Sequence, residues 1–285
     1  MKMFLLLFIL QIALVQSTEM NRYRLGEKKL AIDDCMLSVE YRFNFFGDTA
    51  KTKPEYDMKY LEFGHNCTRY HSVLAGRIDS LAQARDTMDI ESYNAARELG
   101  LSSDQVPGWE DIYFHYPDKN SMCVSTLIVQ YEYCYKGPVD TMTWTILPDK
   151  EKILGYECMK ATTSYKGRDY VAWFTPDVPV SIGPWKFDNL PGLILKVWDT
   201  KGFFSWEAVG IVQPEGKKIY FKQARTVINC SRKEYAKIWR MTWEDPAQLL
   251  LSQGIRFQTV SKDDRVTEQK MGGIKTSPMP QLEIE

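Results

Sequence analysis

Gly183-Pro184-Trp185-Lys186-Phe187-Asp188-Asn189-Leu190-Pro191-Gly192-Leu193-Ile194 sits inside a chain whose remaining patterning is largely strand-like. Two pairings of glycine with proline punctuate it, and apolar side chains fill most of the gaps. Pro191 fixes φ near −65° and Gly192 tolerates φ > 0, so Leu190 to Leu193 fits a type II turn. Ile194, Leu195 and Val197 leave that turn as the next strand. A surface turn is usually polar, so the leucines here point to a turn packed on a core. Gly183, Pro184, Leu190, Pro191 and Gly192 are therefore read as a structural device.

Outward from this run the period is two. Leu37, Val39, Tyr41 and Phe43 alternate with Ser38, Glu40, Arg42 and Asn44, which is an amphipathic strand. A polar turn over 47–54 and the alternation Tyr56-Met58-Tyr60 complete a hairpin. Strand signals recur over 113–116, 124–135, 141–146, 152–159, 169–174, 193–198, 203–211 and 219–224. Residues 78–100 read instead as a polar helical insertion that Asp79 can cap and Gly100 stops. Ser231 and Glu234 form a capping box that opens a helix to about Trp243, with Tyr235, Ile238, Trp239 and Thr242 on one face. Asp245-Pro246 restarts a second short helix ending at Gly254.

About nine strands with few helices between them cannot wind a parallel sheet, because each parallel crossover needs a dozen or more residues. The expected fold is mainly β: a twisted, curved antiparallel sheet or partly closed barrel or sandwich, with a helical insertion and C-terminal helices. Residues 18–260 form a single β-rich domain on this reading, and 261–285 a poorly ordered tail.

Residues 1–17 have the pattern of a signal peptide. Lys2 supplies the positive end, Phe4 to Val15 is apolar apart from Gln11, and Val15 and Ser17 suit the cleavage positions. Twelve residues are too few to span a bilayer as a helix, so no transmembrane segment is expected in the mature chain. The charge is nearly balanced, with 36 basic and 37 acidic residues, and gives no footprint for a nucleic-acid partner. Aromatic residues make up 13% of the chain, which suits broad rings on pleated faces and also surfaces that bind sugars or peptides. The six cysteines, Cys35, Cys67, Cys123, Cys134, Cys158 and Cys230, are compatible with up to three disulfides in an exported protein. Cys123 and Cys134 flank one strand-like run and invite a local link.

Pro191-Gly192-Leu193-Ile194, preceded by Leu190, resembles the signature of the GLPGLI family of secreted bacterial proteins. Upstream, Ile153-Leu154-Gly155-Tyr156-Glu157-Cys158-Met159-Lys160-Ala161, Tyr170-Val171-Ala172-Trp173-Phe174-Thr175 and Pro179-Val180-Ser181-Ile182-Gly183-Pro184 agree with it. The close match covers about residues 141–198, and a looser one covers 41–72. Asn189 stands where the name-giving motif has its first glycine, and asparagine tolerates φ > 0 better than most residues. The resemblance implies an exported protein of the periplasm or outer-membrane surface. It assigns no chemistry.

The residues themselves carry no catalytic signature. There is no Gly-x-Ser-x-Gly elbow, no His-Glu-x-x-His helix and no phosphate or dinucleotide loop, so no catalytic residue and no cofactor is named. His65, Cys67 and His71 share parity in a strand. Fully extended, however, they span about 20 Å, too far for one metal ion, and no metal site is assigned. Adjacent acids such as Glu110-Asp111 read as solvated turns. The candidate ligand-binding set is aromatic and basic: Trp173, Trp185 and Phe187 at strand ends, with Lys160, Arg168 and Lys186 around them. The expected function is non-enzymatic binding or assembly at the bacterial envelope. The partner would be an envelope protein (for example of an outer-membrane uptake system), a peptide or a small apolar ligand. The alternative is an envelope hydrolase acting on glycan or peptide.

Overall fold

The computed structural model describes residues 28–77, 105, 110–115, 121–129, 131–223, 227–254, 258–260 and 266–268. The strands in order are β1 (Lys28–Asp34), β2 (Leu37–Phe46), β3 (Pro54–Phe63), β4 (Cys67–Ser72), β5 (Glu110–His115) and β6 (Ser121–Ile128). They continue as β7 (Tyr131–Pro138), β8 (Thr145–Ile153), β9 (Tyr156–Tyr165), β10 (Arg168–Thr175), β11 (Leu193–Asp199) and β12 (Phe204–Val212). After β13 (Lys218–Gln223) and β14 (Val227–Asn229) come α1 (Arg232–Glu244), α2 (Pro246–Ser252), β15 (Gln258–Val260) and β16 (Val266–Glu268). The helical insertion expected over 78–100 and the signal segment 1–17 lie outside the described residues. Of the expected tail, only β16 is described, and it pairs with β15. Glu110 and Asp111 open β5, where a turn was expected, and pair with Thr126 and Ser125.

Twelve strands form one sheet in the order β14-β7-β6-β5-β4-β3-β2-β12-β11-β10-β9-β8. Every pairing in it is antiparallel except β14 with β7. The order requires curvature. β7 and β8 are ten strand steps apart, about 48 Å on a flat sheet. Residues 139–144 alone join them, and that chain reaches about 25 Å at full extension. The sheet therefore curls until its two ends approach, without closing. The expectation of a curved antiparallel sheet holds, and the seam between its ends becomes a place of its own.

Alternation assigns the two faces. Tyr41, Leu61, Tyr170, Val197 and Trp206 are all 1% exposed or less on one face. The opposite face is covered over β4–β6 by the two-stranded ribbon β1–β13, in which β13 matches the strand read over 219–224 and its pairing with β1 has no signal in the sequence. Ile219 packs there with Cys35 and Cys67, and Phe221 lies against Tyr113 beside Cys123 and Cys134.

The capping box forms as the sequence requires: Ser231 Oγ accepts from the Glu234 N–H, and the Glu234 carboxylate accepts from the Ser231 N–H. Tyr235 then meets Thr126 with its hydroxyl (2.6 Å) and Tyr135 with its ring edge. Trp243 is the buried tryptophan of α1, and Trp239 is 40% exposed, so the packed face is rotated from the one expected. Gly254 ends α2 at φ +79°.

Candidate functional site

The connection between β10 and β11, residues 176–192, folds back as a strap across the sheet face. Its apolar side chains require this. Ile182, Trp185, Phe187 and Leu190 are buried, and Asn189 and Pro191 face out. Trp185 stacks on Trp206, and Phe187 sets its edge against Trp206 and Tyr170 at 5.3 and 4.9 Å.

Local hydrogen bonds shape the strap. The Val180 and Ile182 N–H groups donate two residues back, to the carbonyls of Val178 and Val180. Phe187 N–H closes a β-turn on the Pro184 carbonyl (3.1 Å), with Trp185 at the first central position and φ +53°. That position normally takes glycine, and the stacked ring holds tryptophan there. The type II turn expected at Leu190 to Leu193 is replaced by a tighter one. Gly192 N–H donates to the Leu190 carbonyl (2.8 Å), a γ-turn about Pro191, and Leu193 N–H donates to that of Val178. Gly192 lies at φ +151°, and a Cβ there would overlap the Thr175 carbonyl oxygen. Gly183 is needed for the same kind of reason, since its Cβ would meet the Ile194 side chain at 2.8 Å. Asn189, in place of the motif's glycine, takes φ +64° as expected.

The strap ends at the seam. Ile182 and Asp188 form an antiparallel bridge, and Trp144 from the β7–β8 connection donates its indole N–H to the Asp188 carbonyl over 2.7 Å. Asp140, on the same connection, accepts from the Tyr165 hydroxyl and from Arg232 of α1, both at 2.7 Å, with Lys166 Nζ at 3.9 Å. Burial alone would raise the Asp140 carboxyl. Tyr165, Arg232 and Lys166 outweigh it and hold the group below the usual carboxylate range. Asp188 has no such company. It is 9% exposed, and its Oδ1 receives no hydrogen bond from the described residues. Burial, with the Asp140 charge adding to it, pushes its carboxyl up to about 7.

The residues singled out from sequence are divided by the structure. Trp185 and Phe187 are core, at 3% and 1% exposure. Lys186 is buried beside them and donates to the Tyr135 hydroxyl (3.1 Å). Arg168 is buried in an ion pair with Asp199 (3.0 Å), whose other carboxylate oxygen accepts the Phe203 and Phe204 N–H groups. It fixes the β11–β12 turn. Trp173 is buried as well, at 8% exposure, and lies directly opposite Lys160 across β9–β10, with Lys160 Nζ 5.9 Å from the ring and 3.5 Å from Asp149. Cys67 and His71 are buried on β4, His71 against Glu62 (3.5 Å), while His65 is exposed on the preceding turn. All six cysteines are free thiols, where up to three disulfides were expected, and the Cys123 and Cys134 sulfurs lie 3.0 Å apart.

Asp140, Trp144, Tyr165, Asp188 and Arg232 come together at the seam, and sequence reasoning missed them as a group. Asp188 alone carried a signal: it is the one acid in a run otherwise rich in apolar side chains.

A family model described as a protein of unknown function (Porph_ging) matches residues 164–196, from the end of β9 through the strap into β11. No curated protein matches the chain. Among solved structures the chain is similar to PNGF-II in its P21 crystal form, at 17% identity and a TM-score of 0.47, over 72% of this chain and 33% of that one. The C2 form of PNGF-II gives 16% identity and a TM-score of 0.46, over 73% and 32%. The chain thus spans about a third of the length of the structures it matches.

Proposed function

We propose that this is an exported envelope protein of the GLPGLI type that works by binding, with a peptide or a peptide segment of an envelope partner as its ligand. The observation that carries the reading is the seam, where Asp188 keeps a buried oxygen without a donor among the described residues. Leaving such an acceptor unmade costs about 1–3 kcal/mol, and a ligand N–H removes that cost. Trp144, bonded to the Asp188 backbone and only partly buried, adds ring surface on which a peptide side chain can lie. In an oxidising envelope, Cys123 and Cys134 are the thiols placed to cross-link first. Native mass spectrometry of the protein from its own envelope fraction tests the reading: a retained peptide, lost on Asp188→Ala, which removes the acceptor, is expected. A bare mass for the parent, together with no peptide captured from a mixed library, would contradict it.

A second reading, an envelope hydrolase acting on glycan or peptide, is favoured by one feature. Asp140 is held low and Asp188 is pushed up to about 7, a split that assigns a base and an acid. Turnover of a peptide or glycan library, abolished by Asp188→Asn, would select it.

A further inference from the structure

We propose that the Asp188–Asp140 pair recognises a cationic side chain, a guanidinium or ammonium group, of the bound peptide. This rests on the peptide-binding reading above and names the group that the seam takes.

The basic residues nearby are already committed. Arg168 is paired with Asp199, and Lys186 reaches Tyr135. Around the acidic pair, the β7–β8 connection supplies Asp140, the end of β9 Tyr165, the β9–β10 turn Lys166, α1 Arg232, and the strap itself Lys186 and Asp188. Arg232 and Lys166 both sit on Asp140. Of the two carboxyls, the one without a hydrogen bond or ion pair from the described residues is therefore Asp188, and the charge acting on it is a second carboxylate. A neutral donor would satisfy the bare oxygen but leave an ionised Asp188 uncompensated. A guanidinium does both, because it offers paired N–H donors and a positive charge in one plane. The next residue, Asn189, is exposed and at positive φ, and the partly buried Trp144 places its ring beside the Asp188 backbone for the cation to face.

The same geometry couples binding to a proton. The free protein keeps Asp188 protonated up to about pH 7; the cation binds the carboxylate, so that proton passes to solvent on binding. Apart from that O–H, no covalent bond changes.

Isothermal titration of the full chain with Nα-acetyl-arginine amide, and with its citrulline counterpart, tests this in buffers of different ionisation heat. Arginine amide should bind at least about tenfold more tightly than citrulline amide at pH 8. Its affinity should fall about tenfold from pH 8 to pH 6, with proton release near pH 7. Asp188→Asn should abolish the preference for arginine. Asp140→Asn should keep it while moving the loss of binding to lower pH, because the push of Asp140 on Asp188 is gone. Equal binding of citrulline amide, or an arginine preference unchanged in Asp188→Asn, overturns charge recognition while leaving peptide binding intact. No binding of either probe overturns both.

Discussion

Trp185 lies nearly parallel to Trp206, with ring centroids 6.1 Å apart and planes inclined by 14°. The strap and β12 thus share one stack across the sheet face, and the Trp206 indole N–H continues it by donating to the Tyr70 hydroxyl (2.9 Å) on β4. The run from Gly183 to Ile194 is a part of the core that happens to connect two strands.

Removing a ring from this stack should cost what a core aromatic costs. Phe187→Ala is expected to destabilise the protein by about 3–5 kcal/mol, with an unchanged denaturant m-value. Urea unfolding checks it; a loss under about 1 kcal/mol would mean the strap does not hold the core.

Gly192 is constrained twice, by φ +151° and by the Thr175 carbonyl oxygen, which occupies the space a Cβ would need. Gly192→Ala should therefore lower the melting temperature, and Gly192→Val should do so further. Gly155, at φ +89° with nothing within 4 Å of where its Cβ would stand, serves as the control: its alanine variant carries only the backbone penalty of about 1–2 kcal/mol.

The Arg168–Asp199 pair is buried, at 5% and 1% side-chain exposure. Breaking it by Arg168→Met leaves Asp199 buried without its counter-ion and should cost about 3–5 kcal/mol. Double-mutant thermal melts with Asp199→Asn should recover part of that loss.

Asp188 makes stability depend on pH with a defined sign. Its folded value is raised from 3.8 to about 7, so the folded state holds its proton after the unfolded state has released it. The penalty is absent below about pH 4, grows between about pH 4 and 7, and is complete above about 7. Its size is on the order of 4 kcal/mol. Asp188→Asn should remove this slope and be the more stable protein at pH 8, as thermal melts across pH would reveal.

Cys123 and Cys134 stand on adjacent strands but not directly opposite, since their partners in register are Lys136 and Ser125. Oxidised glutathione should link them before any other pair, each thiol giving up its hydrogen as the glutathione disulfide is reduced. Peptide mapping that finds another pair first would contradict the placement.

Much of the sheet is legible in the sequence because it depends on local pattern. The alternation over Leu37 to Phe43 and the capping box at Ser231 are written in a few neighbouring residues, and both form as read. The strand β13 is legible as 219–224, but its pairing with β1 is not: the two are about 190 residues apart in the chain, and pairing at that distance leaves no local period. The turn at Pro191 falls where the sequence puts it but is of another type, closed by the Gly192 N–H on the Leu190 carbonyl and docked by the Leu193 N–H on that of Val178. The seam follows from curvature, which only the strand order reveals. Trp185 and Phe187 read from sequence as rings that could meet a ligand, and their burial follows from the strap folding inward.

The strap ends in a buried carboxyl that no described residue satisfies, and the proposed chemistry depends on it. Carbon-13 NMR titration of the Asp188 side-chain carboxyl, assigned by comparison with Asp188→Asn, measures its state without intermediaries. The expected midpoint is near 7, moving down in Asp140→Asn. A midpoint near about 4, the ordinary aspartate value, would mean that Asp188 is solvated or paired and that the seam holds no vacant acceptor for a ligand.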